Sequence, residues 1–198
     1  GGVIYQVEPV RQYPQQSWAT HLVGYVSEVS AQELEKLFDK NTDIRMGSYI
    51  GKEGIEKKYD KDLRGQEGCD YLEVTASGRV IGPLKDRQPV PALAGLDLVL
   101  TIDSDLQTLA ESALANYSGG AVVALNPQNG EILCAVSYPG VNANHFVSGL
   151  SVEEWNKISS DPKYPLLDRC FQSSYPPASI AKIICAGAAL EAGLLTSE

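Results

Sequence analysis

The stretch PLKDRQPVPALAG, residues 83–95, constrains this chain more than any other. Its three prolines, Pro83, Pro89 and Pro91, each fix φ and remove a backbone donor, so neither a helix interior nor a central strand can run through it. With the closing Gly95, the composition predicts an extended connector between two modules. A chain of 198 residues suffices for one large domain or two small ones with a real core.

Before the connector the pattern changes every few residues. VIYQVEPV and HLVGYVSEV read as strands, and SAQELEKLF starts a short helix, with Ser30 and Glu33 in capping-box spacing and Leu34, Leu37 and Phe38 on one face. DYLEVTASGRVIG alternates and turns at Ser77-Gly78, which predicts a hairpin.

After the connector, LDLVLTI reads as a strand and DSDLQTLAESALANYSGG as a helix. Leu106, Leu109, Ala110, Ala113, Leu114 and Tyr117 recur at helical spacing, and Ser104 with Gln107 fits a capping box. AVVAL-NPQNG-EILCAV reads as strand, turn, strand, with apolar runs that predict a sheet covered on both faces. SVEEWNKI is a further capped helix in which Trp155 and Ile158 are expected in the core, and an Ala-rich helix runs from about residue 178 to 192.

Composition narrows the function. A net charge of −9 argues against a nucleic-acid partner, which needs clustered Lys and Arg. No apolar run approaches the roughly 20 residues that cross a bilayer, and the first residues do not read as a signal peptide. The opening Gly1-Gly2-Val3-Ile4 lacks an initiator Met, which predicts a piece of a longer protein whose anchor lies elsewhere. Cys69, Cys134, Cys170 and Cys185 have no metal-ligand spacing; Cys134 and Cys185 read as buried small hydrophobes. No metal or cofactor is expected.

The chemistry concentrates in SSYPPASIAKIICAGAALEAG, where Ser179 precedes Lys182 by three residues. A second S-x-x-K, Ser160 to Lys163, contains Pro162, which disfavours helix and makes it a loop. Ser179 and Lys182 instead open a helix, where i and i+3 side chains are neighbours and free N–H groups favour negative charge. A serine becomes a nucleophile once a base takes its proton. A lysine can be that base only when neutral, which at pH 7 costs about 4–5 kcal/mol and requires burial or a second cation. The spacing equally fits a capping serine beside a solvent-facing lysine.

The surroundings of this pair resemble one family. YPPASIAK resembles the Y-P-P-G-S-x-x-K element of class B penicillin-binding proteins. RQYPQQSWATHLVGYVSEVS is similar to that family's R-x-Y-P…A-H-x-x-G-Y-V segment, with Thr20 in place of Ala. IGKEGIEKKYDKDLRGQEG resembles its G-K-x-G-I-E-x-x-Y-D-x-x-L-R-G-x-x-G block, whose wording points to the elongation type, and the strand and helix blocks after residue 95 resemble the opening of its transpeptidase domain. The resemblance implies an α+β fold: a strand-rich pedestal module, residues 1–90, then the N-terminal part of a transpeptidase domain, residues 91–198, with a mixed sheet and helices. It implies a membrane-anchored protein on the extracytoplasmic face of the inner membrane. Ser179 would be acylated by a stem peptide ending in D-Ala-D-Ala or by a β-lactam, with Lys182 as base and a SEDS-type glycosyltransferase as partner.

Two departures stand out. Ala178 replaces the usual glycine, a change that helical geometry would tolerate, and neither S-x-N after Ser179 nor K-T-G is present, so the chain is expected to be inactive alone. Rival readings are a serine β-lactamase or β-lactam sensor, which has no need of the pedestal blocks, and a protein-interaction module of the wall-elongation complex. Glu56 and Arg64 are expected to hold a turn or pair with each other, and His21 and His145 to play structural roles.

Overall fold

A hairpin near the middle of the sequence organises the structure. In this computed structural model, which describes residues 9–38 and 44–196, β5 (Gly120–Leu125) and β6 (Ile132–Tyr138) pair antiparallel with Val122 opposite Val136 and Ala124 opposite Cys134. The turn forms because Asn126 accepts from Gln128 N at 3.0 Å, Asn129 accepts from Glu131 N at 3.1 Å, and Gly130 takes φ +79°. Cys134, Ala135, Val136 and Ser137 are all buried.

Helix α5 (Ser104–Leu114) packs on this hairpin, burying Ala110 against Cys134 and Val136, with Leu106 and Leu114 alongside. Its cap is Asp103, one residue earlier than the predicted Ser104, because the Asp103 carboxylate accepts from the N–H groups of Asp105 and Leu106. The buried stripe is also rotated from the predicted one: Gln107 is fully buried while Leu109 and Tyr117 face outward. Nor is the sheet covered on both faces, since Val123 and Leu125 on β5 are exposed. LDLVLTI forms no strand. It runs extended past the start of β6, tied by Thr101 Oγ1 to Ile132 O at 2.7 Å and Asp103 N to Leu133 O at 2.8 Å, with Val99 exposed. No neighbouring strand among the described residues offers it a ladder.

The N-terminal module does not stand apart. Of the strand expected at VIYQVEPV, residues 3–8 lie outside the described residues, and Pro9 and Val10 have no regular structure. HLVGYVSEV splits into a one-turn helix α1 (Thr20–Val23) and β1 (Val26–Glu28), which pairs antiparallel with β2 (Tyr49–Gly51). Gly24, at φ +80°, makes this split possible, because a Cβ there would sit 1.9 Å from Glu53 O. Helices α3 (Gly54–Lys58) and α4 (Asp60–Arg64) follow β2.

Glu56 and Arg64 do not pair with each other. Glu56 is buried and accepts from Arg11 at 2.9 Å and from the Tyr13 hydroxyl at 3.1 Å; Arg64 reaches Asp60 at 3.4 Å, one turn back.

Helix α2 (Ala31–Phe38) carries the predicted box: Glu33 accepts from Ser30 N and Oγ while the Ser30 hydroxyl accepts from Glu33 N. Leu34 and Leu37 are half-buried. Glu33 also takes Lys52 Nζ at 2.6 Å, and these bonds hold its carboxyl at about 2, below the usual 4.5, the lysine bond contributing most. A depressed carboxylate stabilises the fold fully above its unfolded value and loses that contribution as pH falls through the folded one. The stability advantage of wild type over Glu33→Gln is therefore expected to be full above about pH 5 and to vanish toward about pH 2. Urea midpoints across that range check it; solvent screening at this exposed site limits the advantage to about 1 kcal/mol.

The connector is extended, as its prolines require, but it is not a free linker. The predicted hairpin forms between β3 (Leu72–Val74) and β4 (Val80–Pro83), and the chain then returns antiparallel along residues 66–69. Val90, between Pro89 and Pro91, exchanges two hydrogen bonds with Cys69, and Leu93 exchanges two with Gln66. The flanking prolines lack donors, so pairing stays at isolated bridges.

The two modules interlock. Tyr13 N donates to Asn144 Oδ1 at 2.9 Å and Asn144 Nδ2 donates to Tyr13 O at 2.8 Å, fixing the N-terminal segment on α6 (Asn144–Ser148). Thr20 Oγ1 lies 2.7 Å from Val141 O, and the Tyr25 ring stacks on Phe146 at 3.9 Å. The hydroxyl gives the residue that departs from the family pattern a bond across the modules. Helix α7 (Val152–Ser159) is capped as expected, by a box between Ser151 and Glu154, but Trp155 is exposed and not a core residue.

Candidate active site

Ser179 sits in a single 3-10 turn, Ala178–Ile180, and Lys182 in the first turn of α8 (Ala181–Glu191), which ends before Gly193 at φ +68°. Tyr175-Pro176-Pro177 leads in, and Ile180 N donates to Pro177 O at 3.0 Å. The helix start predicted from sequence is therefore present, and both side chains are exposed on it. The burial that would keep Lys182 neutral is not: no residue of α8 is buried, Ile183 and Ile184 are each 75% exposed, and Cys185 faces outward. An Ala-rich helix supplies little side-chain bulk of its own, so desolvating Lys182 requires another element laid against this face.

The substitution at Ala178 is also not neutral. Its φ is +46°, the left-handed region, in place of the helical geometry expected. That conformation costs an L-residue about 1–2 kcal/mol, part of which a glycine returns through its freer unfolded chain. Ala178→Gly is expected to raise stability by about 0.5–1 kcal/mol, read as an increased urea midpoint.

The loop before this turn is fastened by polar contacts. Arg169 donates to Lys163 O at 2.7 Å, Tyr164 O at 3.1 Å and Leu167 O at 3.3 Å, while its own N–H donates to Ser137 Oγ at 3.0 Å. The Ser137 hydroxyl donates to Leu167 O at 3.0 Å. Asp168, buried, accepts from Cys170 N and Phe171 N. Cys170 Sγ donates to Val136 O at 3.0 Å, and burial with the nearby Asp168 pushes the thiol up to about 11, which makes it inert. Ser160 and Lys163 are in a loop, as Pro162 predicts.

His21, on α1, holds its Nε2 2.8 Å from Pro165 O, and burial keeps the imidazole below the usual histidine range. An open cleft of about 250 Å³ beside it is lined by Leu22, Lys58, Tyr59, Asp168 and Phe171; neither Ser179 nor Lys182 lines it. His145 is exposed on α6. Sequence reasoning placed His21 in a structural role without finding its partner, because nothing in the A-H-x-x-G spacing names a carbonyl 144 residues away.

The chain matches two families in the order of its modules: the penicillin-binding protein dimerisation domain over residues 1–100, and the penicillin-binding protein transpeptidase domain over residues 120–198. The chain belongs to the penicillin-binding proteins. This penicillin-binding protein chain is 42% identical over 191 residues to the peptidoglycan D,D-transpeptidase MrdA of Escherichia coli K12, an alignment spanning 94% of this chain and 29% of that protein. Penicillin-binding protein 3 of Bacillus subtilis is 36% identical over 95% of this chain and 26% of its own length. Among solved structures, Pseudomonas aeruginosa PBP2 in complex with WCK 5153 superposes with a TM-score of 0.75 at 36% identity, covering 94% of this chain and 36% of that one. Helicobacter pylori PBP2, in its complex with MreC, gives 0.74 at 35% identity, covering 92% and 32%. The chain thus spans about a third or less of the proteins it matches.

Proposed function

We propose that this chain is part of a peptidoglycan D,D-transpeptidase of the elongation type, with Ser179 as nucleophile and Lys182 as its base. The observation that carries the reading is the pair at one helix start, behind Tyr175-Pro176-Pro177, in a penicillin-binding protein. Ser179 Oγ attacks the carbonyl between the terminal D-alanines, its proton passes through Lys182 to the departing amine, and free D-Ala leaves as the C–N bond breaks. An amine of a neighbouring strand then takes the acyl group from Ser179 and frees the serine.

Exposed Lys182 gains its desolvation from segments of the longer protein that lie against α8, and the K-T-G strand of the family supplies an oxyanion donor. Residues 1–90 and 91–198 are the pedestal and catalytic portions, on the extracytoplasmic face of the membrane, with a SEDS-type glycosyltransferase as partner. Among the described residues, no helix is long and apolar enough to cross a membrane. A role in protein contact besides catalysis draws support from the ribbon, where Leu72, Val74 and Ile81 are exposed. Intact-mass spectrometry of the full-length protein after incubation with a β-lactam, with peptide mapping to Ser179, tests the catalytic reading.

A further inference from the structure

The segment that delivers Ser179 is fixed along residues 163–173. Arg169 gathers three loop carbonyls, Ser137 and Val136 on β6 hold Leu167, Arg169 and Cys170, and Ser173 Oγ donates to Asp168 O at 3.1 Å. From Ser173 only five residues remain before Ser179, and two of them are Pro176 and Pro177, whose locked φ passes on the direction of the chain. A displacement at residues 163–173 is therefore carried to the serine.

One of these fastenings crosses from the N-terminal module. His21 stands on α1, which is itself tied to the second module by Thr20 Oγ1 at Val141 O. A carbonyl accepts only, so the ring nitrogen 2.8 Å from Pro165 O carries the proton and donates.

Resting on the transpeptidase reading, we infer that His21 is a positioning residue: through its hydrogen bond to Pro165 the N-terminal module sets the pose of the segment that presents Ser179, and breaking the bond slows acylation without weakening the preceding non-covalent binding. His21 touches neither substrate nor the reacting atoms. A misplacement of the nucleophile on the order of 1 Å is enough to cost up to about a hundredfold, and loss of one fastening among several costs less.

The test compares His21→Gln with His21→Asn in the full-length protein. Both carry the same amide, but only Gln places a donor at the distance of Nε2. Stopped-flow acylation by a fluorescent penicillin separates the binding constant from the acylation rate constant. The expected result is an acylation rate about tenfold lower in His21→Asn, near wild type in His21→Gln, and one binding constant for all three. Hydrogen exchange over residues 163–173 in the unliganded protein is the second readout, faster in His21→Asn than in His21→Gln. Equal rates and equal exchange in the two variants, or a weaker binding constant accompanying the slower rate, overturn the inference. A wild type that takes no label at Ser179 overturns the transpeptidase reading with it; a labelled wild type with indifferent variants overturns this inference alone.

Discussion

Ser179→Ala in the full-length protein is expected to leave no covalent β-lactam adduct, and Lys182→Ala to leave an adduct that forms about a thousandfold more slowly. The two losses differ in kind because the residues do. In the proposed mechanism alanine at 179 removes the atom that becomes bonded to the acyl group, so no incubation time is expected to restore the mass increment. Alanine at 182 keeps that atom and removes the proposed proton acceptor; such a group typically contributes 10²–10⁴-fold to a proton transfer. Time-resolved intact-mass spectrometry distinguishes the two directly. Retained labelling in Ser179→Ala, mapped to another residue, removes Ser179 from the chemistry. Labelling of Lys182→Ala at the wild-type rate shows that some other group takes the proton and returns Lys182 to a solvent-facing role, the alternative that spacing alone left open. Both substitutions lie on an exposed helix start, so neither is expected to unfold the protein.

What the sequence made legible follows from how local each signal is. The capping box at Ser30, the capped start of SVEEWNKI, the hairpin turn at Ser77-Gly78 and the strand–turn–strand around Asn126 rest on contacts within a few residues, and all form where the residues place them. The Ser179–Lys182 helix start is of the same kind. Two local readings missed, the cap of α5 by one residue and the backbone at Ala178; the other misreadings concern what lies far along the chain. LDLVLTI has the composition of a strand but touches β6 only at its end and forms no ladder, and Cys185 and Trp155 lie on helices whose apolar or mixed faces meet no covering element among the described residues. Of the two roles read for Glu56 and Arg64, Arg64 holds its own turn through Asp60, while Glu56 takes Arg11 and not Arg64. Periodicity says which residues share a face; it does not say which neighbour covers it. Long-range pairs such as His21 with Pro165 and Tyr13 with Asn144 leave no trace in spacing.

Gln107 is the sharpest instance, and its replacement by leucine is expected to cost about 3 kcal/mol. The sequence reads Gln107 as the capping-box partner of Ser104, yet it is fully buried against the outer edge of β6. That edge would otherwise present Ala135 N–H and C=O with nothing to bond. Gln107 Oε1 accepts from Ala135 N at 2.9 Å and Gln107 Nε2 donates to Ala135 O at 3.2 Å, so one side-chain amide takes the place of a neighbouring strand. The same Nε2 lies 3.2 Å from Glu111 Oε1, which in turn accepts from Ala19 N at 2.8 Å and so carries the link on to the N-terminal segment. Leucine matches glutamine closely in size, so the substitution leaves little cavity and isolates the hydrogen bonds. Each buried backbone group left unpaired costs about 1–3 kcal/mol, and two are orphaned at once. Burying an additional apolar side chain offsets part of this, which sets the net near 3 kcal/mol. Urea unfolding of wild type and variant measures the total, and amide exchange at Ala135 identifies the site, with the N–H of Ala135 exchanging faster in Gln107→Leu. A loss below about 1 kcal/mol with unchanged exchange would mean that water reaches the β6 edge and that the amide is not what closes it.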